Sequence, residues 1–267
     1  MPSPETKASV GYVIGFAVAV CMVCAVLVSS AAVGLKPLQD QNAKVDRLTR
    51  VLEVAGLVTP GERLSGDAVL ARYEANIVPH VIDLETGAYR DDDVDVGSYD
   101  QRRAASDPAT SRPAPENDAR VTRLPKLALV YHVVDEGKVD QLILPIQGYG
   151  LWSTMYGYLA LERDGATVSG ITFYEHGETP GLGGEIENPR WQARWAGRRV
   201  YDADGNVALE VVKGPAGPAE ASPHAVDGLS GATITSRGVT RTIAFWLGPN
   251  GFAPYLDAFR RAEGASS

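Results

Sequence analysis

Apolar residues run almost unbroken from position 10 to position 33, with no charged side chain and with Ser29 and Ser30 as the distinctly polar interruptions. At ~1.5 Å rise per residue, roughly 20 apolar residues cross the hydrocarbon core of a bilayer, so this run is long enough to span once. Ser30-Ala31-Ala32 has the small residues of a signal-peptide cleavage site, but the run exceeds the ~7–15 residues of a signal h-region, and a retained anchor is the expectation. Beyond Gly34-Leu35-Lys36-Pro37 the pattern turns amphipathic. Leu38, Val45, Leu48, Val51 and Leu52 recur at helical spacing and predict a helix over residues 39–53, ended by Gly56 and Pro60-Gly61. A second helix is expected over 67–77, followed by extended chain over 78–83.

Residues 85–120 carry few large apolar side chains. Asp91-Asp92-Asp93, Asp95, Asp100, Arg102-Arg103, Pro108, Pro113 and Pro115 predict a solvated stretch with little order. Asp91, Asp93 and Asp95 alternate as in a calcium loop, but Val96 stands where that loop needs Gly and Arg102 where it needs Glu, which favours a plain loop. From Leu127 the texture becomes β-like. Runs at 127–134 and 139–145 flank Asp135-Glu136-Gly137-Lys138 and read as a hairpin. Further strands are expected at 155–162, 167–176, 199–201 and 207–212. Val239, Ile243, Ala244 and Leu247 share one face of a helix predicted over 235–247, and a short helix should follow over 254–262. Helices, then strands, then helices indicate an α+β fold rather than a doubly wound parallel sheet. The expected organisation is an N-terminal segment with a transmembrane helix (1–34), a helical and loop-rich membrane-proximal region (35–126) and a mixed α/β domain (127–267).

The 267 residues carry a formal net charge of −8 and no basic run, which argues against a nucleic-acid partner. Both cysteines, Cys21 and Cys24, lie inside the apolar run. Three residues apart on a helix they could form a metal or redox pair, but one helix offers only two ligands, and two small residues packing against neighbouring helices is the simpler reading. His176 with Glu175 and Glu178 lacks the paired histidines of a zinc site, so no metal is expected.

Three segments carry candidate chemistry. Asp227-Gly228-Leu229-Ser230-Gly231-Ala232-Thr233 fits the pattern Asp-x-x-Ser/Thr-Gly-Ala-Thr, in which the last threonine accepts FMN through a phosphoester. Thr233 should precede a helix capped by Thr235 or Ser236, whose free N–H groups suit a phosphate. His176-Gly177-Glu178-Thr179-Pro180-Gly181-Leu182-Gly183-Gly184 is a tight glycine-rich loop after a strand, and it lacks the Lys-Ser/Thr ending of a P-loop. Pro145-Ile146-Gln147-Gly148-Tyr149-Gly150-Leu151-Trp152-Ser153-Thr154-Met155-Tyr156-Gly157 places an aromatic at a strand bend, where Trp152 could equally be a core residue.

With these segments the chain resembles the C subunit family of the sodium-translocating NADH:quinone reductase, from the N-terminal helix to the threonine motif. The resemblance implies covalent FMN on Thr233, attached by a separate metal-dependent flavin transferase that uses FAD. Ser230, Gly231 and Ala232 would give that enzyme access, with Asp227 part of its recognition pattern. It further implies that Glu178, Thr179, Leu182 and Gly183 lie at the isoalloxazine ring, that Trp152 shields it, and that Lys213 favours the anionic reduced flavin. A threonine hydroxyl alone is a poor nucleophile, so Thr233 is an attachment point and no acid–base catalytic residue is expected. The implied role is a membrane-anchored electron carrier in a complex with flavin and iron–sulfur subunits, reducing ubiquinone and exporting sodium at the cell inner membrane. The chain lacks an NADH fingerprint and should not oxidise NADH alone. Lys36, Lys44, Arg47 and Arg50 after the apolar run, against Glu5 and Lys7 before it, weakly favour a cytoplasmic domain by the positive-inside rule. The resemblance implies a periplasmic one. The alternatives are the G-type flavin carrier of the Rnf complex, a flavin-bearing donor to another extracytoplasmic reductase, and a membrane-tethered binding module without redox role.

Overall fold

The structure, a computed structural model, describes residues 10–264; Glu5 and Lys7 lie outside them. The chain divides between Asp46 and Arg47 into two compact units. Helix α1 (Val10–Val54) begins in the first unit and ends in the second. Its apolar stretch, of mean hydropathy 2.6 and fully exposed, is long and apolar enough to cross a membrane. The break expected around Pro37 does not occur, because α1 is continuous through it. Proline removes one N–H and crowds the carbonyl four residues back, a penalty of ~3 kcal/mol. In a helix of 45 residues that loss touches one bond among many, and propagation on both sides outweighs it.

In the second unit, α2 (Gly66–Asn76) starts where the Ser65 hydroxyl accepts from the Ala68 N–H, and it runs directly into β1 (Ile77–Asp83). Residues 85–120 are folded, contrary to the sequence expectation. Asp100 accepts from the N–H groups of Arg102 and Arg103, each at 3.0 Å, and starts α3 (Gln101–Ser106). The Gln101 side chain accepts from Leu129 N–H at 2.7 Å, and the Tyr99 hydroxyl donates to the Leu127 carbonyl at 2.7 Å. Strand β2 (Ser111–Pro113) pairs antiparallel with β3 (Arg123–Pro125). Polar side chains bonded to caps and strand backbone hold this stretch, together with small buried residues such as Ala104, Ala105 and Ala119. A hydrophobicity count does not detect such order.

Strands β4 (Leu127–Asp135), β5 (Lys138–Tyr149), β6 (Thr154–Glu162) and β7 (Val168–Glu175) join β1 in an antiparallel sheet of order β1-β4-β5-β6-β7. The hairpin turn is at Glu136-Gly137, both with positive φ, and Asp135 pairs with Lys138. Arg199–Tyr201 and Val207–Val212 do not form strands over the full ranges expected. They contribute single bridges, Thr167 with Arg199 and Tyr201 with Val207, and the two-residue β8 (Glu210–Val211), which pairs in parallel with β9 (Ala225–Val226). The four-residue α4 (Pro189–Gln192) precedes them, and α5 (Thr233–Trp246) and α6 (Ala253–Gly264) close the chain.

One sheet face packs Val130, Leu144, Leu159 and Phe173 against Val239, Ile243 and Trp246 of α5 and Leu256 and Phe259 of α6. The other is covered by the end of α1 and by α2; a Cβ at Gly170 would meet the Val54 carbonyl at 2.8 Å. Two glycines let α5 approach β5 closely. A Cβ at Gly148 would lie 2.0 Å from Thr242 Oγ1, and one at Gly238 would lie 2.6 Å from the Tyr149 carbonyl oxygen. Packing of α5 on β5 fixes where the start of α5, and hence Thr233, stands.

Candidate functional site

Thr233 is the first residue of α5 and is exposed. The N-cap is Ala232, which supplies no side-chain hydrogen bond. Thr235 and Ser236, expected to cap, lie inside the helix and are buried. Their hydroxyls serve other partners: Thr235 donates to Glu178 Oε2 at 2.5 Å, and Ser236 Oγ accepts from Leu229 N–H at 3.2 Å. The first turn of α5 therefore keeps N–H groups without a side-chain acceptor, and these, with the positive end of the helix dipole, favour an anion beside Thr233.

Glu178 is buried at 5% exposure. Besides Thr235, its carboxylate accepts from Trp152 N–H at 2.9 Å and Leu151 N–H at 3.0 Å. One carboxylate thus joins the glycine-rich loop, the Leu151-Trp152 bend and α5. Two glycines of the motifs serve this latch. A Cβ on Gly150 would sit 2.5 Å from Glu178 Oε1, and one on Gly183 would sit 2.5 Å from Thr235 Oγ1. At these two positions the missing Cβ makes room for side chains of the protein itself.

Around the latch, Leu151, Trp152, Leu182 and Ile234 are exposed, with Trp152 at 64%; Trp152 is not the core residue that was the alternative. Leu182 lies on Gly231, where a Cβ would come within 2.9 Å of Leu182 Cδ2, and Gly231 has φ +72°. Thr179 is exposed, and its carbonyl accepts from Leu182 N–H and Gly184 N–H. Ser230 is exposed beside Gly231. Asp227 is largely withdrawn from solvent: its carboxylate pairs with Arg194 and accepts from Ala216 N–H at 2.9 Å, and its carbonyl accepts from Trp191 Nε1 at 2.8 Å. The nearby loop is held by buried Arg198, which donates to the carbonyls of Ser222 and Gly217 at 2.6 Å each.

On the other side of Thr233, a cleft of about 400 Å³ is lined by Lys213, Arg237, Arg241 and Thr233 itself. Glu178, Thr179, Leu182 and Trp152 do not line this cleft. Sequence reasoning found Lys213 and missed Arg237 and Arg241. Their spacing, four residues apart on one helix and four and eight after Thr233, was the available signal. It also missed Arg194 and Arg198, which no local pattern marks.

The FMN-binding domain family matches residues 150–248, which hold the glycine-rich loop, Lys213 and the start of α5. The C subunit of the Na(+)-translocating NADH-quinone reductase of Pseudomonas aeruginosa is 48% identical over 250 residues, covering 92% of this chain and 95% of the relative. The chain belongs to that C subunit family. The corresponding C subunit of Vibrio vulnificus is 45% identical, with 94% of this chain and 96% of its own length covered. The crystal structure of Shewanella oneidensis NqrC superposes with a TM-score of 0.75 at 36% identity, covering 82% of this chain and 99% of that one. The C subunit structure from Parabacteroides distasonis gives 0.64 at 26% identity, with 83% and 96% covered. Membership of the C subunit family sets aside the Rnf-type alternative, and the FMN-binding match supports FMN as the ligand over a module without flavin. The uncapped start of α5, the exposed hydroxyl and the cationic cleft beside it fit a phosphate-bearing flavin. In this chain the residues able to hold it are Thr233, Lys213 and the exposed rim formed by Trp152, Thr179 and Leu182; Gly183 is buried behind that rim, against Glu178 and Thr235.

Proposed function

We propose that Thr233 carries FMN through a phosphoester and that the chain relays electrons within the quinone reductase, toward ubiquinone and coupled to sodium export. The observation that carries this reading is the exposed Thr233 hydroxyl at an uncapped helix N-terminus, beside a cleft bearing Lys213. FMN supplies the redox chemistry when bound; the protein orients it and sets its electrostatic surroundings. The helix N–H groups would neutralise phosphate charge, and Lys213 would favour the anionic reduced flavin. Leu182 and Trp152 would cover apolar ring surface, and Thr179 would offer hydrogen bonds at its polar edge. Asp227 and Ser230–Ala232 would present the hydroxyl to a separate flavin transferase. As the hydroxyl forms its bond to phosphorus it loses its proton, and adenylate leaves the FAD donor.

In this reading residues 1–34 anchor the chain in the cell inner membrane, 35–126 lie next to the membrane, and 127–267 form the flavin-binding part on the periplasmic side. Flavin and iron–sulfur subunits are its redox partners, and NADH oxidation belongs to the assembly. A reporter fused after Ser267 that works only in the cytoplasm would reverse the orientation. The central test is intact mass and in-gel flavin fluorescence of the denatured chain, produced with its transferase, beside Thr233→Ala. An FMN-sized addition lost in the variant supports the reading; an unmodified wild-type chain, with the transferase active on a control, refutes it.

A further inference from the structure

A second pocket, of about 510 Å³, lies wholly within the second unit, between α3, β3 and the ends of β5 and β6. Five arginines line it, Arg47, Arg102, Arg103, Arg120 and Arg123, against one carboxylate, Asp100. In a chain of net charge −8 such a concentration of one sign stands against the overall negative balance. Guanidinium groups stay charged at all relevant pH values, so nothing in the pocket relieves their mutual repulsion by titration.

The acids nearby are already engaged. Asp100 accepts the two N–H bonds that start α3 and lies 3.7 Å from Arg47. Glu175 takes Arg102 in a two-bond fork, at 2.6 and 2.9 Å, which holds the Glu175 carboxyl below its usual range. Arg102 also lies 3.7 Å above the Tyr156 ring. Among the described residues, no carboxylate lies within ion-pair distance of Arg103, Arg120 or Arg123. Arg123 donates to the Ser111 hydroxyl and carbonyl.

Arg120 is held there by its backbone. Its φ is +56°, in the left-handed region that glycine favours. The Asn117 side chain clamps the loop, donating to the carbonyls of Pro115 and Val121 and accepting from Val121 N–H. The Arg120 guanidinium stands 5.2 Å from the Tyr149 ring centre. A strained non-glycine residue in a cationic pocket is the pattern expected where a side chain is kept for binding.

We propose that this pocket binds a phosphate-bearing ligand with at least two negative charges. Planar guanidinium forks match phosphate oxygens two at a time. The volume falls within the ~300–1,000 Å³ of small-molecule sites. The site is separate from the cleft beside Thr233, with which it shares no lining residue, and it does not depend on flavin attachment. The phosphate could belong to a soluble compound or to a lipid headgroup.

The test is thermal unfolding of the full chain, first in a neutral detergent with pyrophosphate as probe. At tenfold excess over Kd the midpoint should rise by roughly 3–6 °C. Arg103→Ala should weaken the effect by about tenfold or more in affinity. Arg120→Gly should also abolish most of it, while leaving the unliganded chain at least as stable because glycine accepts the backbone conformation. Arg237→Ala/Arg241→Ala, in the other cleft, should keep the shift. The second arm compares nanodiscs of phosphatidylglycerol with phosphatidylcholine. A shift on anionic lipid alone, lost in Arg103→Ala, assigns the phosphate to a headgroup; a shift with pyrophosphate assigns it to a soluble ligand. A shift unchanged in both pocket variants, or no shift in either arm, overturns the proposal. So does stabilisation that appears only when the other subunits are present, which would make the pocket a docking surface for acidic protein.

Discussion

The Thr235 hydroxyl donates a 2.5 Å hydrogen bond to the buried carboxylate of Glu178. Thr235 follows the proposed flavin-bearing threonine by two positions, and Glu178 sits in a loop 57 residues earlier. The same carboxylate holds the N–H groups of Leu151 and Trp152. The position of Thr233 and that of Trp152 are therefore set by one side chain.

Glu178→Ala should leave the buried Thr235 hydroxyl and the part-buried N–H groups of Leu151 and Trp152 without their acceptor and cost about 2 kcal/mol in chemical denaturation of the chain. Glu178→Gln keeps one acceptor oxygen and should cost about 1 kcal/mol. Flavin loading should follow the same order. Unchanged stability in Glu178→Ala would show that the latch is not formed in solution.

Gly231 combines φ +72° with a Leu182 contact that a Cβ would crowd to 2.9 Å. Gly231→Ala should destabilise the chain by about 1–2 kcal/mol. It should also lower flavin incorporation, because the peptide leading to Thr233 must shift. Full incorporation at wild-type rate, measured by in-gel fluorescence, would contradict this.

Lys213 lines the cleft beside Thr233. If the flavin occupies this neighbourhood, Lys213→Ala removes a positive charge that stabilises added electrons. The flavin potential in the isolated chain should become more negative, with attachment intact. A spectroelectrochemical titration indistinguishable from wild type would place the ring away from Lys213.

His132 is packed against His80, with ring centres 4.5 Å apart, and its Nε2 lies 2.6 Å from the Tyr255 hydroxyl. Burial, and then the charge of His80, push its pKa down to about 4, against a smaller upward pull from Asp91, which pairs with His80. The folded chain thus resists a proton that the unfolded chain accepts near 6.5. This contribution is fully present above that pH and is lost as pH falls toward 4, to a total of up to about 3 kcal/mol. His132→Leu should flatten the fall in stability across this window. Parallel pH profiles for the two chains would contradict the assignment.

Glu136 holds φ +47° in the two-residue turn with Gly137. Asparagine accepts that conformation more readily. Glu136→Asn should stabilise the chain by about 0.5 kcal/mol, without effect on flavin content. A lower unfolding midpoint would mean that the turn differs from this geometry.

The strands and helices with strong periodicity were readable from sequence. The hairpin at Asp135–Lys138, strands β6 and β7, and α5 lie within a few residues of expectation, because alternation and helical spacing reflect burial on one face. Residues 85–120 were not readable, since their order rests on Asp100, Gln101 and Tyr99 bonding to backbone, in part far along the chain. Nor was the N-cap of α5. Thr235 and Ser236 have the right chemistry for a cap, and only the buried Glu178 and the Leu229 N–H decide that they serve inside.

The sequence by itself determined the apolar span, the α+β order of elements and the threonine motif, because each is written in neighbouring residues. Tertiary structure alone decided that α1 passes through Pro37 and that the motif glycines make room for Thr235, Thr242 and Glu178. It also decided that arginines from α1, α3, β3 and the loop before β3 converge on one pocket. Such contacts depend on which distant residues meet, and that is fixed only when α5 packs on β5 and the sheet closes over its core.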